Sequence, residues 1–380
     1  MKIALVGPTH PFRGGIAHYT TLLARSLRHR HDVRFFALSR QYPGMLFPGK
    51  TQRDHSENAL HVDHEACLDS INCITWWTTF RKIRKFEPEL LLFSWWHPFF
   101  APCFGTLTLL ARQIARIPVC YICHNVLPHE RSLIDRILLR YAFSLVDAFV
   151  THAESEHEQI KIFKPKAITV INPHPTYEVF ANESLLSAEQ AKIDLKLQNK
   201  KVLLFFGFIR RYKGLQDLLD AMESLSSEDG YHLLLVGEFY DSSTLYQPAL
   251  DRLQVRGQLT MVDRYVSNEE IPLYFRAADV LVAPYLSATQ SGVIQMAYAF
   301  QKPVIATDVG GIPEVVENGS TGFLLPPGNP AALASAVQRY FTEDHVQAFA
   351  ANIARKKEIY SWNKLVETIE GICCSISRST

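Results

Sequence analysis

Arg210 and Lys213 lie three residues apart in a turn that follows a predicted strand, Val202–Phe206. The turn reads GFIRRYKG over residues 207–214, and a helical pattern follows it. Ligands of parallel α/β sheets bind beyond the carboxyl ends of the strands, so two cations at such an end can converge on one anion. A diphosphate suits them, because arginine and lysine form charge-assisted hydrogen bonds with phosphate oxygens and stabilise a departing diphosphate. Exposed cations beside a helix are also common, so the pair alone leaves a structural role open.

The turn Ser291-Gly292-Val293 is a second candidate anion site. It follows the apolar run Val280–Ala283 and the polar loop Ser287–Gln290, and a helix is predicted to start at it. The first N–H groups of a helix lack carbonyl partners and carry the positive end of the helix dipole, and phosphate fits there. Small residues in such a turn also serve simply to let the chain fold. The pattern predicts an anion pocket without excluding a structural role.

Alternating strands and helices must position these residues. Strands are predicted at Lys2–Val6, Val33–Ala37, Leu90–Ser94, Val119–Cys123, Ala148–His152 and Ile168–Ile171, and then at Val202–Phe206, His232–Val236, Gln258–Val262, Val280–Ala283 and Val304–Thr307. Helical patterns separate most of them, which predicts parallel sheets covered on both faces.

The alternation breaks at Asn172–Pro175 and starts again at Lys201. We therefore expect an N-terminal domain over residues 1–175, a linker over 176–200, a C-terminal domain over 201–358 and a last helix within 359–380. The predicted fold class is α/β, with two doubly wound Rossmann-like domains facing each other across a ligand cleft.

The composition describes an ordinary globular protein. Of its 380 residues, 47% are hydrophobic and 20% are charged, as expected for two or three domains. No secretory signal is visible, and no apolar run convincingly reaches the roughly 20 residues that span a membrane. Seven cysteines, an odd number, fit reduced thiols in the cytoplasm. Cys120, Cys123 and His124 match the spacing of c-type haem attachment, but they lie in or beside a predicted buried strand.

Positive charge is concentrated in the first half of the chain. Residues 1–172 contain 21 Lys and Arg against 14 Asp and Glu. Much of the excess lies in two clusters, within Arg25–Arg34 and Arg81–Lys85. Such clusters are usually solvated surface, and the alternative is contact with an anionic partner such as a membrane surface.

The order of residues 302–330 is more informative than any single glycine. It reads KPVIATDVGGIPEVV, then NG, then TGFLLPPGNP. This order resembles the nucleotide-sugar-binding half of GT-B glycosyltransferases of the "glycosyl transferases group 1" type. The resemblance is strong over residues 201–342 and weaker over 1–175. It implies that the second domain binds a nucleotide diphosphate sugar, that the first binds the acceptor, and that the last helix crosses back to the first domain.

The resemblance also implies roles for residues of the second domain. The family has an arginine and a lysine at the turn that holds Arg210 and Lys213. With Ser291, Gly292 and Val293, they would form the pyrophosphate pocket.

In the first domain, Gly14 and Gly15 resemble the family's glycine loop, where a glycine lets the backbone approach a ligand. They do not complete the G-x-G-x-x-G pattern of nicotinamide dinucleotide sites. His124, followed by Asn125, matches a family position whose histidine reaches the transferred sugar. The catalytic candidates are therefore His124, Arg210 and Lys213.

One departure from the family is clear. Its signature is a pair of glutamates separated by seven residues, and the corresponding positions here are Ala288 and Met296. No Asp or Glu occurs between Asp279 and Asp308, so the two carboxylate roles do not transfer. Neutral groups remain candidates for hydrogen bonds to the substrate: Thr289, Gln290, Ser291 and Gln295.

The resemblance implies a retaining glycosyltransferase that uses neither a metal nor a cofactor, and the chain contains no Asp-x-Asp motif, which agrees with metal independence. The expected partners are a nucleotide diphosphate sugar, a glycan or lipid-linked acceptor and an anionic membrane surface, but no nucleic acid. The expected setting is polysaccharide or lipopolysaccharide assembly in a bacterial cytoplasm, with peripheral contact to the inner face of the membrane.

Two alternatives stay open. The missing glutamates favour a pseudoenzyme that binds a nucleotide sugar without reaction, and a nucleotide-sugar epimerase would use the same fold. Trp95, Trp96, Phe99 and Phe100 would suit a lipid-linked acceptor, and equally the buried start of a helix.

Overall fold

The apolar and β-branched runs of the sequence form two parallel sheets, one in each of two compact units. Unit 1 comprises residues 1–55, 59–173 and 361–380, and unit 2 comprises 56–58 and 174–360. A computed structural model describes residues 1–44, 51–126, 133–182, 185–240 and 242–379 of the chain. None of the described helices is both long and apolar enough to cross a membrane.

Unit 1 contains a seven-stranded sheet in the order β3-β2-β1-β4-β5-β6-β7. Its strands are β1 (Lys2–Gly7), β2 (Asp32–Arg40), β3 (Glu65–Asp69), β4 (Leu90–Trp95), β5 (Val119–Cys123), β6 (Ala148–Thr151) and β7 (Ile168–Ile171). Unit 2 contains a six-stranded sheet in the order β10-β9-β8-β11-β12-β13. Its strands are β8 (Lys201–Phe206), β9 (Tyr231–Val236), β10 (Leu259–Val262), β11 (Val280–Ala283), β12 (Val304–Thr307) and β13 (Gly322–Leu325). All the pairings are parallel.

The helices flank these sheets. They are α1 (Gly15–Arg28), α2 (Cys73–Phe86), α3 (Ala101–Leu110), α4 (Leu133–Phe143), α5 (Glu154–Phe163), α6 (Glu178–Asn182), α7 (Ala188–Asp194), α8 (Leu215–Ser224), α9 (Gln247–Val255), α10 (Ile271–Ala277), α11 (Gly292–Ala299), α12 (Pro330–Thr342), α13 (Val346–Arg355) and α14 (Trp362–Ser379). The predicted α/β class with two doubly wound domains is confirmed.

The sheet of unit 1 buries a different hydrophobic core on each face. Because side chains alternate along a strand, Ile3 and Leu5 of β1 lie in the core that α1 and α14 cover. Ala4 and Val6 lie in the core that α2, α3, α4 and α5 cover. The same alternation separates the two cysteines of β5: Cys120 belongs to the first core and Cys123 to the second. Burial raises the pKa of both thiols, and their placement on opposite faces does not suit attachment of one haem.

The aromatic residues after β4 belong to the interior. Trp95, Trp96 and Phe100 are buried in the core beneath α2 to α5, and Phe99 packs against it half-buried. The Trp96 indole N–H donates to the hydroxyl oxygen of Tyr42 at 3.0 Å. They form the buried start of a helix rather than an exposed surface for a lipid.

The sequence suggests residues 176–200 as a linker, but this stretch contains α6 and α7, which belong to unit 2. Helix α7 packs on α10. The ammonium of Lys192 in α7 lies 2.8 Å from the carboxylate of Asp279. This packing and the ion pair explain why a polar stretch with little hydrophobic periodicity is ordered on unit 2.

Candidate functional site

The turn after β8, which contains Arg210 and Lys213, packs against the residues that follow β11. Residues Arg211–Lys213 form one turn of 3₁₀ helix, and Gly214 ends it with a φ of 68°. A Cβ atom on Gly214 would lie 1.8 Å from the carbonyl oxygen of Pro284. Only glycine therefore permits both this backbone conformation and this approach to the residue after β11.

Lys213 is buried, and its ammonium has no anionic partner among the residues that the structure describes. The residue is 8% exposed, and its Nζ atom lies 5.4 Å from the centre of the Tyr285 ring. No hydrogen bond or ion pair joins this nitrogen to another of the described residues. Burial lowers the pKa of Lys213, and the positive charge of Arg210 lowers it further, against an opposing effect of Tyr212. An anionic ligand would relieve this unfavourable charge.

Arg210 extends the cationic region towards three aromatic rings. Its guanidinium carbon lies 4.7 Å from the centre of the Tyr240 ring. Phe208 meets Tyr240 edge to face with 4.5 Å between ring centres, and it lies nearly parallel to Tyr265 at 6.3 Å. All three rings are half-buried. They offer flat apolar surface beside the cations, which suits a planar ligand group.

The local sequence pattern does not reveal this aromatic cluster. Phe208, Tyr240 and Tyr265 follow the carboxyl ends of β8, β9 and β10 by a few residues each, and that shared position is the signal that identifies them. The local pattern does not distinguish Glu238 either. It lies two residues after β9 and is 2% exposed, which places a buried carboxyl group at the same edge of the sheet.

The N-terminus of α11 lies beside Lys213. Ser291 caps the helix, with its Oγ atom accepting a hydrogen bond from the N–H of Ile294 at 3.4 Å. The Tyr285 hydroxyl lies 3.3 Å from the same Oγ atom, and burial raises the pKa of Tyr285 to about 12. Tyr285 therefore connects the buried ammonium of Lys213 with the start of the helix. The first-turn N–H groups, at Gly292 and Val293, have no carbonyl partner within the helix.

The loop before α11 is fixed by the turn after β12. Gly310 has a φ of 54°, and a Cβ atom there would lie 1.6 Å from the carbonyl oxygen of Ala288. The N–H of Gly311 donates to the carbonyl oxygen of Thr289 at 2.9 Å. This support holds Thr289 and Gln290 half-buried beside the helix start.

The two positions that hold glutamate in the resembled family are apolar in this site. Ala288 packs its backbone on Gly310, and Met296 is buried in α11. Gln295 is 1% exposed, and its side-chain oxygen has no hydrogen-bond partner among the described residues. An acceptor group without a donor inside the protein indicates an unfilled polar contact one turn into α11.

The candidates of the first domain lie in unit 1. Gly14 has a φ of 104° and caps α1, which Gly15 begins. The N–H of His18 donates to the carbonyl oxygen of Gly14 at 3.2 Å. The preceding loop is held by Asp54, whose N–H donates to the carbonyl oxygen of Pro11 at 2.8 Å.

His124 follows β5 and is held inside a polar network. Its backbone N–H donates to the carbonyl oxygen of Trp95 at 2.8 Å, and its Nε2 atom lies 2.9 Å from Oγ of Ser94. The Tyr19 ring packs nearly perpendicular to the imidazole, with 4.3 Å between ring centres. The residue is 2% exposed, so the network fixes the orientation of the ring and leaves little of it accessible. Asn125, the next residue, is half-buried.

Two family models match the chain in succession. Residues 13–173 match Glycosyltransferase Family 4, and residues 200–343 match Glycosyl transferases group 1. The first model covers the glycine loop and His124, and the second covers the cationic turn and the start of α11.

Named relatives share the same regions. The chain is 25% identical over 279 residues to D-inositol 3-phosphate glycosyltransferase of Corynebacterium glutamicum, covering 68% of this chain and 66% of that one. It is 27% identical over 279 residues to the putative teichuronic acid biosynthesis glycosyltransferase TuaC of Bacillus subtilis, covering 72% and 66%. In both cases the match spans just under two thirds of the relative's length.

Solved structures share the fold over nearly the whole chain. Anabaena HepE in complex with UDP superposes with a TM-score of 0.77 at 18% identity and covers 99% of this chain and 100% of that one. Sucrose-phosphate synthase of Thermosynechococcus elongatus superposes with a TM-score of 0.73 at 19% identity and covers 100% of each. With both family domains in order and this fold, the chain belongs to the GT-B glycosyltransferases of the Glycosyl transferases group 1 type.

Proposed function

We propose that the protein transfers a sugar from a nucleotide diphosphate sugar to a hydroxyl acceptor, and that unit 2 binds the donor. The observation that carries the proposal is the ammonium of Lys213, which is buried beside a second cation and a helix N-terminus and has no anionic partner in the described part of the chain. Such an arrangement is unfavourable until an anion of high charge occupies it. The Anabaena HepE structures, which contain UDP and UDP-glucose, support a donor of this class.

The positions of the aromatic rings, the cations and the start of α11 suggest how the donor lies in unit 2. The rings of Phe208, Tyr240 and Tyr265 would hold the base, and Arg210 and Lys213 would hold the diphosphate together with the start of α11. The sugar would then lie near Thr289, Gln290 and Gln295, where the unpartnered oxygen of Gln295 accepts a hydrogen bond from a hydroxyl group.

The proposed reaction needs no group of the protein to form a covalent bond to the sugar. Arg210, Lys213 and the dipole of α11 stabilise the negative charge of the departing diphosphate, which a metal ion would otherwise do. The acceptor hydroxyl attacks from the face that the diphosphate leaves, so the anomeric configuration is retained. We propose that His124 contacts the transferred sugar and that Ser94 keeps its ring oriented.

A pseudoenzyme is the second candidate function. It is favoured by Ala288 and Met296, since neither supplies the carboxylate of the family signature. It predicts the same nucleotide binding without turnover, so binding and turnover must be measured separately.

The test of the donor site is calorimetric titration with UDP, GDP, ADP and dTDP in the presence of a chelator. We expect one of them to bind with micromolar affinity and Arg210→Ala to weaken this binding about tenfold or more, as for loss of a charge-assisted hydrogen bond. Arg211→Ala removes the same charge from an exposed neighbour and is the matched control. Binding of none of the four nucleotides, or equal loss in both variants, would contradict the proposed site.

The test of the reaction is release of the nucleoside diphosphate from the matching sugar nucleotide, with glycan and lipid-linked hydroxyl acceptors. Polysaccharide assembly in bacteria is the setting that we propose for these acceptors, because the Bacillus subtilis relative is named for teichuronic acid biosynthesis. Turnover that persists with chelator and retains the anomeric configuration supports the mechanism. Tight binding without turnover would favour the pseudoenzyme.

A further inference from the structure

Within the described part of unit 1, the large exposed apolar side chains lie on one face of the sheet. All ten large apolar side chains that are exposed in its described part lie between residues 71 and 162, in or beside α2, α3, α4 and α5. The opposite face of the sheet, which α1 and α14 cover, has none among its described residues. Isolated exposed apolar residues are ordinary, whereas a one-sided distribution of this kind marks a surface of contact.

Helix α4 shows the pattern most clearly. Leu139, Ala142 and Phe143 face the core. On the outer side, Leu133, Ile134 and Ile137 are each at least 66% exposed. Helix α4 thus has apolar residues on two sides. One side packs on the core, and the other is exposed.

The neighbouring helices continue this surface. Helix α3 packs on both α2 and α4, and the inner sides of all three lie in the same core. On α2, Ile74 and Trp77 are exposed one turn apart and are followed by Arg81 and Arg84 on the same side of the helix. The outer sides of the three helices therefore form one layer, which we call the α2–α4 surface.

The α2–α4 surface is also strongly cationic. The three helices and the turn that ends α3 at Ala115 contain seven Lys or Arg and one Asp. Two of these cations are paired with carboxylates, Lys82 with Glu65 and Arg112 with Asp147. The other five form no ion pair with any described residue: Arg81, Arg84, Lys85, Arg136 and Arg140. Helix α5, with exposed Glu154 and Glu158, limits this region on one side.

We propose that the α2–α4 surface docks on an anionic phospholipid bilayer. Apolar side chains flanked by arginine and lysine suit the boundary between acyl chains and anionic headgroups, where both kinds of group are satisfied together. A second copy of this chain would bring two cationic faces together, which disfavours self-association through this surface. The inference does not depend on the proposed function, because unit 1 uses other residues for its candidate site.

The test is sedimentation of the full chain with vesicles of phosphatidylcholine alone and of an equimolar mixture with phosphatidylglycerol. We expect binding to the anionic vesicles and little to the neutral ones. Raising the salt from about 0.05 M to about 0.5 M should release much of the protein, because the Debye length shortens.

Paired variants separate the two contributions. Ile134→Ser with Ile137→Ser should lower the partition coefficient about tenfold, and Leu245→Ser with Val255→Ser, at exposed sites of unit 2, should leave it within about twofold. Arg136→Gln with Arg140→Gln should lower it about tenfold at low salt. The matched charge control is Lys364→Gln with Arg378→Gln on α14, at the opposite face.

Several outcomes would overturn the proposal. They are absence of vesicle binding, equal binding to neutral and anionic vesicles, and equal effects of the test and control pairs. A dimer that the Ile134 and Ile137 changes convert to monomer without vesicles would also overturn it, because the surface would then belong to a second copy. Nucleotide affinity should be unchanged in all four double variants, so failure of docking is distinguishable from failure of the donor site.

Discussion

Lys213 combines a functional charge with a penalty for burying it. We predict that Lys213→Met stabilises unit 2 by about 1 kcal/mol, because an apolar side chain of similar length replaces an unpaired buried ammonium. The same change should abolish measurable nucleotide binding. Chemical denaturation and calorimetry on one preparation measure the two effects. Lys196→Met, at an exposed lysine of unit 2, should change neither, and a loss of stability in Lys213→Met would show that the ammonium is satisfied in the free protein.

The stability gain of Lys213→Met should depend on pH in a defined direction. Since burial lowers the pKa of Lys213 below its ordinary 10.5, the unfolded chain binds more protons than the folded one between the two pKa values. The native protein therefore gains stability as the pH rises through this window, and the penalty is fully present below it. We expect the advantage of the variant to be largest near pH 7 and to shrink as the pH approaches 10.5.

The sequence indicates which side chains carry charge in this site, but not how they are buried. Arg210 and Lys213 are identifiable because they share one turn after one strand. The burial of Lys213 depends on Tyr285, which a separate strand delivers. The aromatic cluster also combines residues from separate strands, with one ring after each of β8, β9 and β10. The site combines residues from several strand ends, so each contact joins residues far apart in the chain. The only sign of these contacts in the sequence is that each residue closely follows a strand.

At the scale of elements, two glycines with the same backbone angle allow a controlled test of how the cationic turn is positioned. Gly214 has a φ of 68° and Gly328 a φ of 69°, but only at Gly214 would a Cβ atom meet backbone, 1.8 Å from the carbonyl oxygen of Pro284. We predict that Gly328→Ala destabilises the protein by about 1 kcal/mol through the left-handed conformation alone. Gly214→Ala should destabilise the protein by about 2–4 kcal/mol, because the overlap of the new Cβ atom with Pro284 adds to the cost of the left-handed conformation.

Nucleotide affinity completes this comparison. Gly214→Ala should also weaken nucleotide binding, since the turn carrying Lys213 must move away from β11, whereas Gly328→Ala should bind normally. Urea denaturation and calorimetry on the two variants provide both measurements. Equal stability of the two variants would mean that the contact with Pro284 does not position the turn.

The elements predicted from the sequence are those with strong local patterns. Buried central strands such as β5 and β11 are continuous apolar runs, and the sequence locates them to within a residue or two. The two strands that the sequence does not predict, β3 and β13, lie at sheet edges. Strand β3 reads EACLD and has a half-exposed face, which removes the apolar run that marks a strand. Strand β13 is apolar but only four residues long, GFLL. Helices α6 and α7 lie in the polar, loosely helical stretch that the sequence suggests as a linker, and they are stabilised by packing on unit 2 more than by their own periodicity. Helix α13 is not predicted either, although it is amphipathic and buries Phe349 and Ile353.

At the scale of the whole molecule, each unit has its own hydrophobic interior. Two cores lie on either side of the sheet in unit 1, and a separate one lies in unit 2. All five tryptophans, at positions 76, 77, 95, 96 and 362, belong to unit 1. Tryptophan fluorescence therefore reports the unfolding of unit 1 alone, while far-UV circular dichroism reports both units.

This separation predicts how a bound nucleotide changes unfolding. At about 100 times its dissociation constant, a ligand that binds only folded unit 2 stabilises it by about 2.7 kcal/mol. In urea this should move the transition of unit 2, seen by circular dichroism, upward by about 1 M. The fluorescence transition of unit 1 should not move, because the proposed donor contacts lie in unit 2. A shift of equal size in both signals would mean that the units unfold as one cooperative body, and a shift in fluorescence alone would place the nucleotide in unit 1.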